Sequence, residues 1–186
     1  AIFNHAWAKL DPSEQEVFMK LSIFRGGFTY EAAREVAGAN IRTLHRLIEK
    51  ALVLKLENER FNLHELLRQY AEEKLHEAGL IEEIQALYSR YFMMWIDDNY
   101  PAFYAGQLDV IEQAYTNLND LQDAWLIATA NRDEELLDKG RGLRSILWRF
   151  GLGDRAVEFM EHALTHISES NKMLRGQLMI YLATAS

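Results

Sequence analysis

The stretch Leu52-Val53-Leu54-Lys55-Leu56-Glu57-Asn58-Glu59-Arg60-Phe61-Asn62-Leu63 decides the fold, because the spacing of apolar residues changes there. Leu52, Leu54 and Leu56 alternate, Asn58 and Glu59 supply a turn, and Phe61 and Leu63 alternate again. A period of two folded about a turn predicts a small β-hairpin. On both sides the period is helical. Downstream, Leu66, Leu67, Tyr70, Ala71 and Leu75 place an apolar side on a helix over residues 64–76. Upstream, Asn40 can cap a helix in which Ile41, Leu44, Leu47 and Ile48 recur at helical spacing.

Two further helices precede these. Ser13 and Glu16 have capping-box spacing, with Asp11 and Pro12 just before them, and Val17, Leu21 and Phe24 continue the apolar face. Gly26-Gly27 ends that helix. Thr29 can cap a short helix over residues 30–36 that stops around Gly38. Helix, helix, helix, two-stranded wing, helix is the order of a winged-helix domain, expected over residues 1–80. Its third helix then occupies the place of a DNA-recognition helix and carries Arg42, His45, Arg46 and Lys50 side by side. The competing reading is a solvated polar face, which Glu49 interrupts.

Composition bounds the function classes. The 186 residues are 49% apolar, enough for packed cores, and contain no cysteine, which excludes disulfides and thiolate metal sites and fits a reducing cytoplasm. No apolar run reaches the roughly 20 residues of a membrane span, and no signal-peptide pattern opens the chain, so no membrane partner is expected. The net charge is -8, and it is uneven. Residues 1–80 hold 11 Lys or Arg against 12 Asp or Glu, the remainder 9 against 16. Phosphate backbones are repelled by the second half, so any DNA contact belongs to the first.

Beyond Ile81 the apolar positions Ile84, Leu87, Tyr88, Tyr91, Phe92 and Trp95 form a helical stripe ending near Asp97-Asp98-Asn99 and Pro101. Core packing accounts for the aromatic members, with a ligand groove as the alternative. Further helices are expected from Leu108, around Leu118–Ala128, over residues 134–150 and over 154–167, the last two joined by Gly151-Leu152-Gly153. Short connections make antiparallel neighbours. Leu147, Trp148 and Phe150 followed by Ala156, Phe159, Met160, Ala163 and Leu164 look like a tetratricopeptide helix pair, and residues 174–185 would start another. Residues 81–186 are therefore expected to be a helical-repeat domain truncated at its C-terminal end. Ala1 in place of Met, and a last helix running to Ser186 without a cap, fit a piece of a longer protein.

Chemistry-bearing patterns are sparse. The glycine clusters Gly26-Gly27, Gly140-Arg141-Gly142 and Gly151-Leu152-Gly153 lack the Gly-Lys-Ser/Thr ending of a phosphate loop and read as turns or caps. His162 and His166 share a helix face with Glu158 a turn earlier, but a zinc-protease Glu and a third ligand are missing, so they read as surface histidines. The carboxylate pairs Glu72-Glu73, Glu82-Glu83, Asp97-Asp98 and Glu134-Glu135 sit at helical polar positions. No catalytic residues and no metal site are expected.

Leu21-Ser-Ile-Phe-Arg-Gly-Gly-Phe-Thr29, Glu31-Ala-Ala and Leu63-His-Glu-Leu-Leu-Arg-Gln-Tyr-Ala71 closely resemble the winged-helix segment of bacterial STAND-type signalling ATPases, which resemble plant NB-ARC proteins and include multidomain transcriptional regulators with tetratricopeptide arrays. The resemblance is strong over about residues 1–80 and looser beyond. It implies an ATPase domain upstream in the same chain that binds ATP or ADP, with no cofactor held by residues 1–186 themselves. It also implies that Leu63-His64-Glu65 stands where the family has a Met-His-Asp-like motif, making His64 a nucleotide-sensing residue. A histidine in the first turn of a helix stands beside free N–H groups and the positive macrodipole end, which suits an anion; a structural cap is the alternative. Arg68 is placed for a surface salt bridge with Glu65 or Glu72, and Arg25 for an exposed turn. The expected function is a non-catalytic regulatory and interaction module, with repeats that bind a protein partner or self-associate. The alternative is a DNA-binding transcriptional regulator.

Overall fold

The computed structural model describes residues 2–184; Ala185, assigned above to the last helix, lies outside them together with Ala1 and Ser186. The protein is mainly α, with one small antiparallel hairpin and a series of helical repeats. It divides into two compact units, the first ending at Tyr91 and the second beginning at Phe92.

In the first unit the helices are α1 (Ile2–Ala8), α2 (Pro12–Lys20), α3 (Tyr30–Ala37) and α4 (Ile41–Glu49). The hairpin strands β1 (Leu54–Lys55) and β2 (Phe61–Asn62) follow, then α5 (Glu65–Glu77). Helix α2 is capped by Asp11, two residues before the expected cap Ser13. Asp11 accepts from the Ser13 and Glu14 N–H groups and Glu14 bonds back to the Asp11 N–H at 2.8 Å, a complete capping box with Pro12 pre-set for the first helical position. It also ends early, at Lys20, and a 3-10 turn over Leu21–Ile23 leads to the glycine pair. Thr29 and Asn40 cap α3 and α4 as expected, and Gly38 closes α3 at φ 67°. Helix α1 has no sequence signature, yet its Trp7 packs on Phe18 and edge-on against Tyr70.

The hairpin turns through Asn58 and Glu59, both left-handed at φ 59° and 57°, the backbone that matches strand twist in short hairpins. A third strand position is supplied from outside. Phe28 and Phe61 exchange both backbone hydrogen bonds at 2.8 Å, and their rings stack with centroids 6.0 Å apart. Gly27 makes this possible, with φ 81° and no Cβ that would press on the Phe61 carbonyl at 2.9 Å. Alternation did not translate into burial here. Leu52, Val53 and Leu63 are buried while Leu54 and Leu56 stay exposed, because paired strands of two residues cannot bury a continuous face. Ile41 and Leu66 are exposed as well, each lying in the first turn of a helix, ahead of the buried stripe.

Helix α6 (Ile81–Tyr104) crosses the division between the units and does not stop at Pro101. The proline ring costs one backbone hydrogen bond, and two residues later the buried Phe103 packs edge-on against Phe150 and anchors the final turn. The second unit continues with α7 (Leu108–Thr116), α8 (Leu118–Ala130), α9 (Glu134–Lys139), α10 (Leu143–Arg149), α11 (Gly153–His166) and α12 (Lys172–Ala183). Neighbours in sequence pack as successive pairs, and α11 also packs on α8, where the buried Trp125 indole N–H donates to the Phe159 carbonyl at 3.3 Å.

The helix expected over residues 134–150 is broken by a 3-10 turn at Gly140–Gly142, and the cause is close approach. A Cβ on Gly142 would stand 2.6 Å from the Tyr100 ring and 2.9 Å from Ile96 Cγ2, and one on Gly140 would press on Met93 and Trp125. Gly176 in α12 has open space instead. Gly142→Ala is therefore expected to cost about 1–3 kcal/mol through overpacking, whereas Gly176→Ala should gain up to about 1 kcal/mol of helix propensity. Urea unfolding of both variants checks this; equal midpoints would remove close packing as the reason for Gly142.

Candidate functional site

The first turn of α5 is the place to which the hairpin delivers the chain. Asn62 ends β2 and its side-chain oxygen accepts from the Leu63 N–H, Leu63 is buried, and His64 leaves the strand in extended backbone at φ -60°, ψ 138°. His64 is thus the N-cap of α5 and not its first helical residue. Its carbonyl accepts from the Leu67 and Arg68 N–H groups, and its Nδ1 accepts from the Leu66 N–H at 3.4 Å. A backbone N–H can only donate, so Nδ1 carries no proton and the neutral ring holds its hydrogen on Nε2. An exposed imidazole therefore presents an N–H donor next to the positive end of a thirteen-residue helix.

Arg68 fixes that helix. Its side chain is almost fully buried, contrary to the expected surface salt bridge, and it takes both anticipated carboxylates at once. Glu65 is met by two nitrogens at 2.9 Å each, Glu72 at 2.9 Å, and a further N–H donates to the Ser22 carbonyl at 3.3 Å. The guanidinium fork suits this bidentate pairing. Arg68 and Gln69 bonds hold the Glu65 carboxyl down to about 2, so the acid beside His64 stays ionised and occupied. Arg25 is exposed, as expected of a turn arginine, and its charge also favours ionised Glu65.

Arg42, His45 and Arg46 of α4 and Lys50 at its C-cap do not form a free cationic face. Arg46 pairs with Asp11 at 3.1 Å, and Lys50 pairs with Glu14 at 2.5 Å while reaching the Lys9 carbonyl at 3.3 Å. Glu14 is only 2% exposed, so Lys50 neutralises a carboxylate that water hardly reaches. His45 lies 3.4 Å from Glu49. Arg42 alone of the four has no ion pair among the described residues. The sequence signal for these pairings was Asp11 and Glu14 at capping-box spacing.

In the second unit His162 and His166 stack edge-on with ring centroids 4.6 Å apart, and His166 Nδ1 lies 3.0 Å from the His162 carbonyl. Among the described residues no group of three or more His, Cys, Asp and Glu is placed to hold a metal ion. No helix of the described residues is long and apolar enough to cross a membrane. Sequence reasoning missed one cluster here, Arg144 with Trp148 and Tyr181, because its members come from two helices.

No family model matches the chain, and no curated protein does so. Among solved structures, the chain is similar to a Signal Transduction ATPase with Numerous Domains (STAND) protein with a tetratricopeptide repeat sensor from Pyrococcus horikoshii, at 16% identity and a TM-score of 0.51. The similarity covers 99% of this chain and 30% of that one. At this identity the likeness is one of fold.

The Arg68 cluster has a measurable consequence. The Glu65 carboxyl lies well below its ordinary 4.5, so its contribution to stability is complete above that value and is lost as pH falls from about 4.5 towards 2. Acid unfolding of Glu65→Gln should lack that part of the pH dependence. Arg68→Met, which leaves the Ser22 carbonyl without its donor, should cost about 2 kcal/mol at neutral pH; a change near zero would show that the cluster merely solvates the helix.

Proposed function

We propose that the chain is a non-catalytic switch and interaction module of a STAND-type signalling protein. Its first unit is a winged helix that senses the nucleotide held by an ATPase domain upstream in the same chain. Its helical repeats bind a protein partner or a second copy. The ATP or ADP belongs to that upstream domain, and residues 1–186 hydrolyse nothing themselves. What carries the reading is His64, an exposed, singly protonated imidazole capping α5 immediately after the hairpin, with its Nδ1 already engaged and Nε2–H available to a phosphate oxygen. The run Leu63-His64-Glu65, the element order around it, and the fold likeness over the whole chain to a STAND protein with a tetratricopeptide repeat sensor support it.

A neutral imidazole can donate one hydrogen bond to a phosphate without the ring being recharged, and the helix terminus adds its positive potential. Withdrawal of α5 from the nucleotide removes both together. His64 is then a sensor and not a catalytic residue. DNA binding through Arg42, His45, Arg46 and Lys50 gains no support, since Asp11, Glu14 and Glu49 stand against three of the four. Duplex affinity with a steep salt dependence that falls on Arg46→Ala would revive it.

The sensing role separates cleanly from the capping role. Asp caps helices well but offers a phosphate only repulsion. In the protein containing the ATPase domain, His64→Asp should keep the unfolding temperature while speeding ADP release about tenfold or more, the worth of one hydrogen bond to a charged group. Unchanged ADP dissociation with an intact fold would leave His64 a structural cap.

A further inference from the structure

In the second unit, remote in sequence from His64, one guanidinium lies over two aromatic rings. The Arg144 side chain of α10 stands 4.9 Å from the centre of the Tyr181 ring of α12 and 5.9 Å from that of Trp148, one turn along α10. It also reaches the Thr184 hydroxyl at 3.4 Å. No carboxylate among the described residues pairs with it, although Asp154, Glu158 and Glu161 all lie on the adjoining α11. Trp148 is 45% exposed, a large ring left in solvent beside a charge that has no carboxylate partner among the described residues. We infer that the Arg144–Trp148–Tyr181 cluster is a docking surface for an extended acidic segment of a protein partner, which deepens and rests on the reading of the repeats as partner-binding.

Charge complementarity selects that occupant. Residues 140–186 hold six Arg or Lys against four Asp or Glu, whereas residues 92–139 hold two against ten. The stretch that carries the cluster is therefore net positive within an acidic protein. Stacking on aromatic faces uses the flat sides of a guanidinium and leaves its edge N–H groups to meet a carboxylate bidentately. Recesses bounded by Arg144, Trp148, Tyr181 and the neighbouring α11 side chains have no room for a water-sized sphere. A ligand thus lies across the cluster instead of entering it, which fits an extended chain and not a small molecule. Nucleic acid is a poor occupant, because the ten acids of residues 92–139 repel a continuous phosphate backbone.

The test uses the whole chain with fluorescein-labelled twelve-residue peptides of three kinds, Asp/Glu-rich, Lys-rich and uncharged Gly/Ser/Leu, followed by anisotropy at low and physiological salt. Preferential binding of the acidic peptide, weakened at least tenfold by Arg144→Glu and by Tyr181→Ala but not by Arg132→Ala, with folding checked by circular dichroism, is the expected result. Arg144→Lys, which keeps charge but not the planar fork, should fall between. Binding of another peptide class, or acidic binding indifferent to Arg144→Glu, overturns this inference while leaving a partner-binding array intact. Binding of none of the three overturns it and removes support from the wider reading too. Arg144-dependent self-association in sedimentation without peptide binding would also overturn it, in favour of a second copy.

Discussion

The Phe28–Phe61 backbone pair is the constraint on which the first unit depends. Strands of two residues contribute too few hydrogen bonds and too little buried surface to hold themselves, and the hairpin here has only that. The exchange of both N–H and C=O bonds with Phe28 converts a free ribbon into one tied to the α2–α3 connection, with Arg60 adding a bond to the Gly27 carbonyl at 2.9 Å. Phe28 in turn belongs to an aromatic group with Phe24, and Phe24 meets Tyr88. The ribbon is thus anchored in the core although most of its own side chains are exposed. Because the chain leaves β2 only two residues before α5 begins, that anchor also fixes where His64 stands.

Charges in this unit are arranged as internal fasteners. Asp11 and Glu14 cap α2 and at the same time receive Arg46 of α4 and Lys50 at its C-cap, so one capping box sets both a helix start and the packing of two helices. Arg68 does the equivalent for α5 and the Leu21–Ile23 turn. A basic helix face that looks available for DNA in a linear sequence is largely spent on this task. Burial decides the difference: a pair involving a carboxylate as enclosed as that of Glu14 cannot be given up for a phosphate without leaving a desolvated charge behind.

Much of this was legible from residue types whose effect is local. Thr29, Gly38 and Asn40 act within a few residues of themselves, so the extent of α3 to within a residue and the start of α4 followed directly, and the switch from period 3.6 to period 2 located the hairpin. What was not legible depends on partners distant in sequence. Helix α1 has no sequence signature of its own, and its Trp7 is placed against Phe18 and Tyr70. The break at Gly140 and Gly142 comes from residues of α6 and α8, about 15 to 47 positions earlier. Exposure of Leu54, Leu56 and Leu66 reflects how short the paired strands are and where the buried stripe of α5 begins, neither of which alternation encodes. His64 was singled out by motif as a candidate, but its bond to Leu66 and hence its tautomer depend on the folded backbone.

That tautomer links the cap to the proposed sensor in a specific way. If His64 took a second proton, Nδ1 could no longer accept from Leu66, and the ring would gain charge for a phosphate only by surrendering its own helix cap. The neutral form avoids the conflict: one nitrogen serves the backbone, the other faces outward. Arg68 matters to this arrangement because it ties the first two turns of α5 together through Glu65 and Glu72 and ties them to the Leu21–Ile23 turn through the Ser22 carbonyl. A cap braced in this way resists local fraying, which is what the proposed sensing role requires of it.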